Sequence, residues 1–167
     1  VMFGGLTLLS LLFYPFVTKM TAKWGKKKLL VAAFGGFVLT FTITGLSGAM
    51  LGLPVMVQAV LIVVLGSFPQ AIFGIIPQTI VADIAQSDEI VTGESRSGMF
   101  YAARTFAMKL GQSLALLMFT SLATIGSNGF GYRVVALVAA ACCLAGGIIM
   151  SFFNEKKVND IINSVNK

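Results

Sequence analysis

Lys109 stands in the middle of "FYAARTFAMKLGQSLALLMF", residues 100–119, a stretch that is otherwise largely apolar. It lies about ten residues past the start of an apolar run, or roughly 15 Å along a helix, half of a ~30 Å hydrocarbon core. A lysine at that depth costs on the order of 3 kcal/mol even on lenient insertion scales, and snorkelling hardly reaches from the midplane. Lys109 is therefore expected to face a polar cavity or an ion partner. Helical spacing sets Tyr101, Thr105, Met108 and Gln112 on one stripe with Lys109 at its edge and Ser113 one turn on, while Ala103, Phe106, Leu110, Leu114 and Leu117 fall largely elsewhere. This is a line of hydrogen-bonding groups aimed at other helices. No acid occurs inside the apolar runs, so a membrane-buried partner for Lys109 must lie in another part of the protein or in a ligand.

A second polar group is the stretch 83–98, with Asp83, Asp88, Glu89, Glu94 and Arg96. Asp83 closes an apolar run and could pair with a basic residue at a helix end, a contact that can hold one conformation and release in another. Arg104, about five residues inside the next run, reads equally as a snorkelling anchor or a gate residue. Ser95 or Ser97 can cap the helix that begins near Gly98. Pro69 and Pro77, each followed by a glutamine, interrupt the run before Asp83, and such breaks either line a cavity or serve as packing kinks.

The elements that must position these residues follow from composition. Of 167 residues 57% are hydrophobic and 11% charged, against about 25% charged in soluble domains. The apolar residues come in five blocks, about 1–17, 29–50, 54–82, 99–125 and 132–153, too long and too unbroken for barrel strands. The chain reads as an all-α membrane protein with five transmembrane helices over residues 1–153 and a polar tail over 154–167. Lys19, Lys23, Lys26, Lys27 and Lys28 cluster in the turn 18–28. If that turn faces the cytoplasm, parity puts 83–98 and the tail there too, leaving only Arg133 on the other side, as the positive-inside rule expects. The same placement between two apolar runs reads as a juxtamembrane loop rather than a nucleic-acid patch. Ala32 and Gly36, and Ala139, Cys143 and Gly147, recur at four-residue spacing as faces for close helix approach. The adjacent Cys142 and Cys143 do not suit a disulfide, and there is no histidine, which excludes histidine-based catalysis and metal sites; no catalytic set is found. The chain opens directly into an apolar segment and reads as one entered partway.

The stretch "PQTIVADIAQSDEIVTGESRSGMFYAARTFAMKLGQSLA" resembles the region between helices ten and eleven of the glycoside–pentoside–hexuronide:cation symporters, the melibiose-permease-like branch of the major facilitator superfamily. The likeness rests on Asp83, Asp88-Glu89, Thr92-Gly93, Arg96-Gly98 and Lys109-Gly111, and on "TKMTAKWGKKK" as the basic turn between helices eight and nine. The chain departs from the pattern in having no tyrosine after the second acidic position. The helix-ten tryptophan that relatives set against the sugar is also missing, Phe73 being the aromatic that could substitute. The resemblance implies helices about eight to twelve of a twelve-helix transporter. It places the residues matching Lys109 and Thr105 near the substrate, and the acidic cation ligands in an N-terminal half outside this chain.

The resulting expectation is cation-coupled (sodium or proton) uptake of a sugar or glycoside by alternating access. Lys109, Thr105 and Gln112 meet the substrate, and Asp83, Arg96 and Arg104 form a cytoplasmic gate. No cofactor beyond the coupling cation is expected. The partners are the lipid bilayer of the inner (plasma) membrane, a sugar, and the N-terminal half of the same transporter. The rival readings are a lipid or drug carrier on the same fold and a non-transporting membrane scaffold.

Overall fold

In lipid each backbone N–H and C=O must be satisfied within its own segment, so long apolar runs become helices. The computed structural model describes residues 2–46, 54–126 and 129–165, and every element among them is an α-helix. These are α1 (Met2–Trp24), α2 (Lys26–Leu46), α3 (Val55–Thr92), α4 (Ser97–Ala123), α5 (Phe130–Ser151) and α6 (Glu155–Val165). Four stretches among the described residues, Lys26–Leu46, Met56–Thr92, Ser97–Ala123 and Phe130–Ser151, are long and apolar enough to cross a membrane. The expected first span, 1–17, falls in α1 and is not one of those four. The end of the expected second span and most of the turn after it fall in 47–53, outside the described residues, as do 127 and 128 in the turn before α5.

Two polar segments are more helical than their composition alone suggests. The polar stretch 83–98 is mostly helix, since α3 runs on to Thr92 and only 93–96 connect it to α4. No helix breaker stands between Asp83 and Thr92, and the polarity change marks the edge of the lipid rather than the end of the backbone helix. At 38 residues α3 is about 57 Å long, well beyond a ~30 Å core. It stops at Gly93, whose φ of 72° suits a left-handed cap and whose N–H reaches Glu89 O at 2.9 Å. The polar tail also contains a helix, α6, because Val158, Ile161, Ile162 and Val165 recur at amphipathic spacing. The first three are half-buried, and α6 packs along α3.

The core lies between α1, α2 and α3 and contains Val17, Leu29, Leu30, Ala33, Ala71, Ile72, Ile76 and Ile80. Pro69 and Pro77 both lie inside an unbroken α3. Pro69 sits against Gly36 so closely that a Cβ added there would lie 2.6 Å from its Cγ. Gly36 is thus a true small-residue contact, whereas Ala32 on the same row is exposed. Gly147 is likewise at a contact, its would-be Cβ 3.2 Å from Phe34 Cβ. α5 packs antiparallel to α2, with Leu137 and Arg133 of its first turns beside Gly45 near the other end of α2. Large apolar side chains stay outside, such as Met56 at 79% and Ile149 at 71% exposed, as hydrocarbon solvent permits and water would not.

Candidate functional site

α4 carries the polar stripe, and it is the least enclosed of the long helices. It touches α3 and α5 but has no buried residue. Ser97, Phe100 and Arg104 at one end and Leu122 and Ala123 at the other are half-covered, and everything from 105 to 121 is exposed. Near its far end Phe119 meets Tyr132 of α5, ring centroids 6.2 Å apart.

Lys109, Thr105 and Gln112 therefore all stand on an open helix face. The side chains of Lys109 and Gln112 make no hydrogen bond or ion pair among the described residues. The cavity or ion partner expected around Lys109 is not supplied by the described residues. The reason is plain in the acids: Asp83, Asp88, Glu89 and Glu94 lie on the end of α3 and the link to α4, and Glu155 and Asp160 on α6. None lies alongside the middle of α4. Thr105 Oγ1 donates to Tyr101 O at 2.8 Å, and Ser113 Oγ to Lys109 O at 3.0 Å. Each hydroxyl proton is taken up by its own helix, leaving the oxygens free to accept. The stripe thus offers an ammonium donor, a whole amide and two hydroxyl acceptors, a set suited to a small hydroxylated or anionic ligand.

The second polar region is built around the α1–α2 turn. Gly25 ends α1 with φ 83° and its N–H on Thr21 O at 3.0 Å, and α2 restarts at once with Lys26, Lys27 and Lys28. Three lysines at a helix N-terminus oppose the helix dipole, and the first N–H groups there have no partner of their own. Glu155, the first residue of α6, answers both problems. Its Oε1 accepts from Lys26 N at 2.8 Å and its Oε2 from Lys27 N at 2.9 Å. Lys26 Nζ in turn pairs with Asp83 Oδ2. Side-chain exposures of 25% and 23% make this a half-sheltered pair, less screened than a surface one.

The three residues expected to form one gate are not brought together. Asp83 pairs with Lys26, a basic residue at a helix end, rather than with Arg96 or Arg104. Arg96 bonds Glu94, with Nη2 at 2.6 Å and Nε at 3.0 Å, both side chains exposed. Arg104 has no side-chain partner among the described residues. The separation follows from the length of α3, which carries the chain ~13 Å past Asp83 before it turns. Neither serine caps α4: its N-cap is Arg96, whose side chain makes no capping bond, and Ser95 Oγ turns back to Glu89 Oε2 at 3.3 Å. Asp88 Oδ2 is shut off from solvent and unbonded among the described residues. Phe73 is taken up by α2, with ring centroids 4.8 Å from Phe34 and 5.3 Å from Phe37, so the aromatic offered as a sugar platform is engaged in helix packing.

The sequence marks Lys26 only as one of five clustered lysines, and nothing local marks Glu155 as its neighbour. One signal was available: a basic first turn of a helix calls for a carboxylate from elsewhere. Among the described residues no group of three Asp, Glu, Cys or His could hold a metal ion.

The family model described as MFS/sugar transport protein matches residues 1–136. No curated protein and no solved structure matches the chain.

Proposed function

The chain belongs to the MFS/sugar transport protein family, and on that premise we propose that it is the C-terminal part of a cation-coupled sugar symporter of the melibiose-permease type. It is a multi-pass membrane transport protein and not an enzyme. The single observation that carries the finer reading is the open middle of α4, a membrane-length helix with an unpartnered ammonium and amide in line. Such groups are too costly to leave in lipid, so another body must cover them. That body is the N-terminal half of the transporter. Closed against α4, it would turn the open stripe into a central cavity and supply the carboxylates that bind the coupling cation.

In this mechanism the two halves rock about a midplane site. Lys109 sets the charge of the cavity, Gln112 both donates to and accepts from sugar hydroxyls, and Thr105 accepts. Asp83, held by Lys26 here and apart from Arg96 and Arg104, joins them in a gate at the basic end, on the cytoplasmic side of an inner membrane, only in another state of the rocking cycle. A charge pair gates only if it is stronger in one state than in the other.

The test uses the full-length protein in vesicles with an imposed sodium or proton gradient, given a panel of labelled sugars and a panel of lysolipids. Gradient-driven uptake of a sugar, lost in Lys109→Ala and Lys109→Glu, is the expected result. Uptake of lysolipid alone, or sugar uptake unchanged by both variants, overturns the reading.

A further inference from the structure

α2 and α5 pack closely, but their seam is open on the outer side. Val31, Gly35 and Val38 of α2 and Leu144, Gly147 and Ile148 of α5 line an apolar groove of about 290 Å³. Its walls are exposed, Leu144 to 53% and Ile148 to 60%. Glycine keeps it open, since a Cβ added at Gly35 would meet nothing within 4 Å. From Val31 to Val38 the groove runs ~10 Å along the helix axis.

One end of this groove is charged. Lys27 and Lys28 precede Val31 by four and three residues, so they lie one turn below it on the same side of α2. Lys26 is engaged with Asp83. The side chains of Lys27 and Lys28 have no ion pair or hydrogen bond among the described residues. Leu29 begins the apolar run, so these two ammonium groups stand where headgroups meet hydrocarbon. The polar line of α4 is on a different helix, and the hydroxyl that lines the groove, Ser151 Oγ, donates to Ile148 O of its own helix at 2.6 Å.

We infer that the α2–α5 groove is a binding site for a phospholipid with an anionic headgroup, one acyl chain lying along Gly35 and Gly147 and the phosphate held by Lys27 and Lys28. The apolar trough alone would take any acyl chain. The two free cations at its mouth select the anionic class, each adding attraction to negative headgroups.

The intact transporter, purified in detergent, is given phosphatidylglycerol or phosphatidylcholine, and retained lipid is read by native mass spectrometry. One phosphatidylglycerol is expected to be held with a preference of roughly tenfold or more over phosphatidylcholine. The double variant Lys27→Gln/Lys28→Gln, which leaves the apolar packing untouched, should bring that preference to near unity. Gly35→Leu, which fills the groove where there is room, should lower retention of phosphatidylglycerol several-fold. Glycerol phosphate, a headgroup without a chain, should not displace the lipid. Equal retention of the two lipids in the unmodified protein overturns the inference. So does retention unchanged by Gly35→Leu in protein that elutes as the unmodified form, or displacement by glycerol phosphate.

Discussion

The carboxylate of Glu155 caps the helix that begins at Lys26, across 129 residues of sequence, by accepting the N–H groups of Lys26 and Lys27 at 2.8 and 2.9 Å. The contact ties α6 to the α1–α2 turn, while the Lys26–Asp83 pair ties the same turn to α3. Four helices thus meet at the basic end around one glycine.

Removing the cap should loosen that end. Glu155→Ala leaves two N–H groups without their acceptor and takes one carboxylate away from three lysines, of which Lys26 keeps Asp83, a loss of about 1–2 kcal/mol by analogy with helix caps. Glu155→Gln keeps an acceptor but not the charge and should fall between. Thermal unfolding in detergent should rank the forms in that order, and limited proteolysis should cut α6 fastest in the alanine variant. Equal melting of all three forms would show that the cap contributes nothing.

Two glycines give opposite expectations. Gly25 has φ 83°, and a Cβ there would lie 3.1 Å from Glu155 Oε2, so Gly25→Ala should destabilise by about 1–2 kcal/mol from backbone strain alone. Gly35 is in the interior of a helix with open space around it. There Gly35→Ala should be neutral or stabilise by roughly 0.5–1 kcal/mol. A melting comparison of the two proteins checks both, and a Gly25→Ala protein as stable as Gly35→Ala refutes the strained turn.

Gly36 should tolerate nothing larger. Its would-be Cβ lies 2.6 Å from Pro69 Cγ, and a proline ring within a helix cannot swing aside. Gly36→Val should cost about 1–3 kcal/mol by overpacking, and Pro69→Ala in the same molecule should return part of it. Additive losses in the double variant, measured by unfolding, would mean that the two residues do not touch.

The Lys26–Asp83 pair is best tested by exchange. Lys26→Ala and Asp83→Ala should each lower stability, with a coupling of about 0.5–1 kcal/mol in a double-mutant cycle, as befits a half-exposed pair. Lys26→Asp/Asp83→Lys should recover stability lost in either reversal alone. Single reversals as stable as the exchanged form exclude an ion pair at this place.

What the sequence made legible divides along physical lines. The helices inside lipid were readable because hydrocarbon forces both apolarity and helicity on the same residues, as in the runs 99–125 and 132–153. The continuation of α3 past Asp83 was not, because water tolerates helix and loop alike and polarity marks only the solvent boundary. α6 was missed for a related reason: its apolar positions are few and its length is short. The Glu155 cap shows locally only as a basic first turn in need of a carboxylate; which carboxylate answers is not legible, since the acceptor and the donors come from opposite ends of the chain. Asp83 was readable as an acid seeking a basic helix end, but which helix end depended on tertiary geometry. The stripe on α4 was legible as a pattern, yet nothing among the described residues encloses it.

That open stripe gives the last prediction. Helical geometry puts positions 105, 109 and 112 within about 60° of one another and puts 110, 114 and 117 on the opposite side. In this chain both faces are exposed, and on the proposed function an N-terminal half and the bilayer make them differ. With Cys142 and Cys143 replaced by serine, single cysteines at these six positions in the full-length protein should divide sharply. A membrane-impermeant thiol reagent should label 105, 109 and 112 at least tenfold faster than 110, 114 and 117, because a thiolate forms only where water reaches. A sugar that binds the cavity should slow labelling at 105 and 112. Uniformly slow labelling, with 109 no faster than 114, would put Lys109 in lipid or in a dry interface. A scaffold would show that pattern; a carrier with water halfway through the membrane would not.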